Sequence, residues 1–160
     1  MCFKKLTRHF FYIPRIKRKL MHVGKNFYVG KNFTCELYKN VSIGDNVYIG
    51  DNMLILSTIA KVFIGDDTMF APNVTIVTGD HKIYNTTVSL NKVLEKDKIS
   101  ENDADVIFEG NNWIGVGAII LKGVIVKRGA VIGAGAVVTK NVPENAVVAG
   151  NPAHQINTRL

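Results

Sequence analysis

Cysteine is scarce in this chain of 160 residues: only Cys2 and Cys35 are present. Two cysteines cannot build a disulfide framework, and no Cys-x-x-Cys pair offers a zinc site. No apolar run approaches the roughly 18 residues of a membrane span. The N-terminus lacks the long apolar core and small-residue cleavage site of a signal peptide, so a reducing, cytoplasmic protein is expected. Acidic residues are missing altogether from residues 1–22, which hold Lys4, Lys5, Arg8, Arg15, Lys17, Arg18 and Lys19. Removing those seven from the 20 Lys+Arg leaves 13 basic groups in the rest of the chain, against 13 acidic ones. The formal charge of +7 therefore belongs to a basic arm on a neutral body. That distribution argues against a nucleic-acid-binding surface spread across the fold. At 47% hydrophobic and 21% charged, the composition is that of an ordinary globular chain with no sign of disorder, and the length fits one domain, or one domain with an appendage.

Proline is rare, at four residues, but glycine is not, at 14. The glycines mark a repeat. Val29-Gly30-Lys31-Asn32, Ile43-Gly44-Asp45-Asn46, Ile49-Gly50-Asp51-Asn52 and Ile64-Gly65-Asp66-Asp67 recur in the first half, and Ile114-Gly115 and Ile132-Gly133-Ala134-Gly135-Ala136 follow later. Apolar positions fall in sets of three: 23, 29, 35; 43, 49, 55; 64, 70, 76; 108, 114, 120; 126, 132, 138. None of these fifteen is polar. Four residues after most of them stands another apolar or small residue: Phe27, Phe33, Val47, Met53, Ile59, Val74, Ala118, Val124, Ala130, Ala136 and Val142. Lys39, Thr68, Asp80 and Asn112 break that second pattern. A period of six fits neither a helix nor a flat alternating strand. It fits short strands joined by tight bends, where Gly, Asn and Asp tolerate unusual dihedrals. Three hexads make one triangular coil, and five stacked coils at about 4.8 Å each give a prism on the order of 24 Å long.

Two short insertions precede Ile43 and Ile64. A third, from Val77 to Ile107, is long; it includes Tyr84 and a stretch from Asn91 to Asp105 dense in both charges. A loop of this length inside a compact repeat is usually functional, and it is expected to leave the prism as an extruded arm. The expected organisation is a basic arm (1–22), an all-β hexapeptide-repeat body (23–153) with its loop at 77–107, and a C-terminal tail (154–160).

Several segments resemble the hexapeptide-repeat acyltransferases, in particular the branch of maltose and galactoside O-acetyltransferases and polysaccharide O-acetyltransferases. They are Phe70-Ala71-Pro72-Asn73-Val74-Thr75-Ile76, Thr78-Gly79-Asp80-His81, Asn112-Trp113-Ile114-Gly115, Leu121-Lys122-Gly123-Val124, residues 132–140 and Ala149-Gly150-Asn151-Pro152-Ala153. The resemblance covers about residues 23–153. It implies a left-handed parallel β-helix, whereas the general crossover preference alone would give a right-handed coil. It implies a homotrimer with sites between adjacent prisms, acetyl-CoA as donor, no metal, and a hydroxyl or amine on a small-molecule or glycan acceptor. His81 matches the family's catalytic base. Trp113 matches an aromatic beside the pantetheine and acetyl group, and Val116 and Ala134 match backbone contacts to the cofactor. Thr139 and Lys140 match a pair near the nucleotide phosphates. Asn52, or its neighbour Asp51, falls near the acceptor contact, and Tyr84 is expected to wall the pocket. The basic residues that relatives carry after the Gly-x-Pro turn are replaced here by His154 and Asn157, with Arg159 nearby.

Acetyl transfer from a thioester to a hydroxyl needs a base for the hydroxyl proton, and His suits this near neutral pH. Of four histidines, His9 and His22 lie in or at the end of the arm and His154 in the tail. Only His81 stands where a coil end meets a loop. Asp80 is a candidate to orient its imidazole, and a backbone N–H near Gly115 or Gly117 is a candidate for the oxyanion. A Cys nucleophile fits poorly, since Cys35 occupies an inward position. One repeat histidine cannot supply the three-His metal site of a γ carbonic anhydrase-like prism. Within the transferases, a streptogramin-type antibiotic or amino-sugar N-acetyltransferase is the alternative to a sugar O-acetyltransferase. In the arm, Phe3, Leu6, Phe10, Ile13, Ile16 and Leu20 recur at helical spacing, interrupted by Pro14. Two roles follow: capping the open end of the prism, or peripheral contact of residues 1–20 with an anionic inner membrane face.

Overall fold

Each apolar position of the six-residue period lies in a short strand, and all but Ile55 and Ile76 end it. The computed structural model describes residues 12–83 and 87–160. The first coil carries β1 (His22–Val23), β2 (Tyr28–Val29) and β3 (Thr34–Cys35); the second, β4 (Val41–Ile43), β5 (Tyr48–Ile49) and β6 (Leu54–Leu56). The third has β7 (Val62–Ile64), β8 (Met69–Phe70) and β9 (Thr75–Val77); the fourth, β10 (Val106–Phe108), β11 (Trp113–Ile114) and β12 (Ile119–Ile120). The fifth has β13 (Ile125–Val126), β14 (Val131–Ile132) and β15 (Val137–Val138). The described strands stack into three sheets, β1-β4-β7-β10-β13, β2-β5-β8-β11-β14 and β3-β6-β9-β12-β15, with every neighbour among these parallel. The register is strict: Ile43 pairs with Ile64, Ile64 with Phe108 and Phe108 with Val126.

The motif Ile-Gly-Asp-Asn has a separate physical reason at each position. The Ile is buried; Ile43, Ile49 and Ile55 are fully so, and burying such a side chain stabilises by roughly 1.5–3 kcal/mol. The Gly makes room for the coil above: a Cβ on Gly44 would lie 2.2 Å from Asp66 Oδ1. That Asp oxygen accepts the backbone N–H of Asp45 at 2.7 Å, and Asp45 in turn accepts from Lys25 N–H at 2.6 Å. The Asn turns the corner with positive φ, as at Asn26, Asn32, Asn46, Asn52 and Asn73. Asn is among the few residues that tolerate this region. Stacked Asn amides then bond up the corner, Asn32 to Asn52 at 2.9 Å and Asn52 to Asn73 at 3.1 Å.

Departures from the inward pattern are local. Ile59, one of the apolar residues four positions after a hexad start, is 67% exposed, and the neighbouring Ala60 is buried instead. The insertion before Ile64 shifts the bend there by a residue. Thr68 and Asn112 break the apolar pattern yet are buried. Thr68 Oγ1 donates to Gly65 O at 2.8 Å; Asn112 Nδ2 donates to Lys127 O at 2.7 Å while its Oδ1 accepts from Gly110 N at 3.1 Å. Both satisfy corner backbone groups, as buried polar side chains must.

At the N-terminal end, α1 (Ile13–Lys17) begins with Pro14 in its first turn, where proline costs no hydrogen bond. Its Ile13 and Ile16, with Leu20, are buried in the same cluster as the prism core. Lys17 and Lys19 lie over the rings of Phe27 and Tyr38, at 6.0 and 4.9 Å. Residues 1–11 of the arm lie outside the described residues. No described helix is long and apolar enough to cross a membrane. At the C-terminal end, β16 (Ala146–Ala149) extends the second sheet, and β17 (His154–Thr158) pairs with it antiparallel. The segment expected as a tail is thus a sheet strand.

Candidate active site

The prism has three edges, and the expected site residues fall on all of them. Trp113 opens β11 at the edge between the first and second sheets. Val116 and Ala134 follow β11 and β14, at the edge between the second and third sheets. His81 leaves the third sheet after β9, and Thr139 and Lys140 leave it after β15, on the edge between the third and first sheets. One side of the prism is about six residues long, on the order of 15–20 Å. A single chain therefore gathers His81, Thr139 and Lys140 along one edge, and holds Trp113 and the Val116–Ala134 pair apart from them.

His81, Thr139 and Lys140 are exposed. The backbone under His81 is pinned. Gly79 bridges Asp103 antiparallel, Asp80 N–H donates to Asn102 O at 2.9 Å, and Ala104 N–H donates to Thr78 O at 2.9 Å. The Asp80 carboxylate accepts from Asn102 Nδ2 at 3.0 Å and pairs with Lys122 Nζ at 2.8 Å. Partial burial works to raise the Asp80 pKa. The hydrogen bonds from Lys122 and Asn102, with the charges of Lys122 and Lys98, outweigh it and hold the carboxyl below its ordinary value. Asp80 thus faces the next coil: its two oxygens hold Lys122 and Asn102 rather than the imidazole, the role the sequence suggested. Lys122 also donates to Glu101 O at 2.7 Å. Asn102 carried no signal in the sequence, because its place depends on where the long loop returns.

Gly115 and Gly117, the oxyanion candidates, are committed elsewhere: Gly115 N–H donates to Ile132 O at 2.7 Å and Gly117 N–H to Pro72 O at 3.0 Å. The neighbouring Val116 accepts from Gly135 N–H at 2.8 Å. On this edge the positive-φ corner residue changes from Asn32, Asn52 and Asn73 to Gly117 and Gly135. No atom lies within 4 Å of where a Cβ would stand on either glycine. The upper two coils thus present bare backbone. Asn52 sits lower on the same edge, its amide used on both sides by the Asn32 and Asn73 amides. Tyr84 lies outside the described residues.

Trp113 is 52% exposed and pairs with Met69 and Val131 on the outer face of the second sheet. Beside it is a cleft of about 300 Å³ lined by Asp67, Met69, Asn111, Asn112, Val131 and Arg159. Arg159 donates to Gly129 O at 2.9 Å, which ties the C-terminus to this wall. Lys127 pairs with Glu109 at 2.7 Å. Among the described residues there is no group of three or more His, Cys, Asp or Glu that could hold a metal ion.

Triangular coils of this register define a β-helix of the left-handed parallel type, as known structures make plain. The maltose O-acetyltransferase from Clostridium difficile 630 superposes with a TM-score of 0.80 and 34% identity, covering 97% of this chain and 83% of that one. A galactoside acetyltransferase in complex with coenzyme A superposes with a TM-score of 0.79 and 29% identity, covering 92% and 70%. In sequence, the galactoside O-acetyltransferase of Lactococcus lactis subsp. lactis (strain IL1403) is 34% identical over 91 residues, 57% of this chain and 40% of that protein. No protein-family model matches. The chain spans about half the length, or less, of the curated relatives it matches. With these likenesses the chain belongs to the hexapeptide-repeat acyltransferase family, on the side of the maltose and galactoside O-acetyltransferases.

Proposed function

We propose that this protein transfers an acetyl group from acetyl-CoA to a hydroxyl of a sugar or polysaccharide precursor, with His81 as general base. The observation that carries the reading is an exposed His81 on a pinned loop base, sharing one edge with Thr139 and Lys140. His81 takes the acceptor proton as the acceptor oxygen attacks the thioester carbonyl. The tetrahedral intermediate collapses with release of the CoA thiolate, and His81 returns the proton to that sulfur. The donor fits the chain's own features. Bare corners at Gly117 and Gly135 leave room for the pantetheine arm, and the exposed cation of Lys140 suits phosphate.

A homotrimer with sites between copies is part of the proposal. The spread of site residues over three edges supports it, since no single pocket on one chain can hold them all. The exposed ladder of Tyr28, Tyr48, Met69 and Trp113 up the second sheet supports it as well.

The test is CoA thiol release from acetyl-CoA with a panel of acceptors: maltose, simple galactosides, nucleotide sugars, amino sugars and a streptogramin. A hydroxyl-bearing sugar is expected to give turnover, and His81→Ala to lower it by about 100-fold or more. Equal turnover by His81→Ala, or turnover confined to amines, would overturn the reading.

A further inference from the structure

We infer that Lys122 and Asn102 are positioning residues for His81, acting through Asp80 as a clamp that joins the long loop to the following coil. The inference rests on the reading of His81 as the base. A histidine at the start of a loop of about 30 residues would ordinarily sample many orientations. Here the loop returns onto its own start and is fastened to three successive coils. Thr58, after β6 of the second coil, donates its hydroxyl to Asp103 Oδ1. The third coil supplies Thr78 O and the Gly79 bridge. The fourth supplies Lys122, whose Nζ meets both Asp80 Oδ2 at 2.8 Å and Glu101 O at 2.7 Å.

Asn102 is the joint. Its carbonyl receives Asp80 N–H at 2.9 Å, and its Nδ2 reaches Asp80 Oδ1 at 3.0 Å and His81 O at 3.4 Å. Its Oδ1 accepts Ile99 N–H at 3.0 Å, which shapes the returning turn. Below it, Asp103 Oδ2 faces Lys98 Nζ at 3.7 Å, with both side chains only 6% exposed. The residue before His81 is thus held by its amide and both carboxylate oxygens, and His81 itself by its carbonyl. Lys122 binds no phosphate in this scheme; its charge is spent on the loop base. General-base catalysis depends on placement, and a misplacement of about 1 Å can cost about 100-fold.

The experiment compares Lys122→Met, Lys122→Arg, Asn102→Ala and His81→Ala, assayed by thiol release with acetyl-CoA and maltose or a galactoside. Amide exchange at Asp80 and Ala104 is measured in the same variants. Lys122→Met and Asn102→Ala are expected to lower kcat about 10- to 100-fold with KM for acetyl-CoA unchanged, and to speed exchange at Asp80. Lys122→Arg, which can still reach Asp80, is expected to restore most of kcat. A raised KM for acetyl-CoA with unchanged kcat would make Lys122 a donor ligand and overturn the clamp. A wild-type rate in His81→Ala would instead remove the base reading. The clamp is then judged on exchange alone, and unchanged protection at Asp80 in Lys122→Met overturns it.

Discussion

Single residues here answer to the coil above or below rather than to sequence neighbours. Asp80 is the sharpest case. Its partners are Asn102, at the far end of the loop, and Lys122, one coil on. Because these contacts hold its pKa below the ordinary value, the folded state favours the charged form. The contribution is complete above the ordinary carboxylate range and is lost as pH falls through the lower folded value. Exchange protection at Asp80 and Ala104 is therefore expected to stay level from neutral pH down to about pH 4, after correction for intrinsic rates. It is expected to decline below that, while core amides such as Gly50 keep theirs. Equal loss at loop base and core would mean global unfolding rather than release of the clamp. Sequence alone points to His81 by its motif, but leaves Asp80 open between orienting the imidazole and a solvated loop charge. The Lys122 partnership depends on the vertical register between coils and on the loop's return path, which no local pattern records.

At the level of strands and corners, the sequence is far more legible. All fifteen apolar positions lie in strands, because a period of six fixes which residue points inward whatever the details of each bend. The second apolar pattern loses its meaning where an insertion alters a bend, as at the exposed Ile59. Thr68 and Asn112 stand out in the sequence as exceptions to the pattern, and the structure supplies the reason: each is buried and satisfies corner backbone. The C-terminal strand was missed because a strand of exposed, mostly polar residues carries no hydrophobic alternation. One corner pattern bears on function: the switch from Asn to Gly between the third and fourth coils of one edge. Asn serves the backbone equally well lower down, so the fold does not require Gly above. Gly135→Asn should therefore retain the fold, with a stability cost of about 1 kcal/mol for the left-handed backbone, and should place an amide in the space that the proposal gives to pantetheine. KM for acetyl-CoA is expected to rise about tenfold with little change in kcat. An unchanged KM in steady-state assays would show that the donor runs elsewhere.

For the whole molecule, the distribution of apolar surface and the distribution of site residues point the same way. Tyr28 and Tyr48 stack with centroids 4.6 Å apart, and Met69 and Trp113 continue their column on one face. A stable contact between copies buries about 800 Å² per partner, with aromatics at its centre. In the proposed trimer, a second chain brings its bare edge near Gly117 toward an edge bearing His81. If that column is the contact, assembly and activity depend on the same face. Light scattering on the wild-type chain is expected to give three times its 17.7 kDa. Tyr48→Glu, which buries no core atom, should shift the mass toward one chain while circular dichroism stays that of a β-helix. Thiol release should fall in proportion to the trimer lost and recover as protein concentration is raised. A Tyr48→Glu monomer with wild-type turnover would show that one prism suffices and that the column serves another purpose.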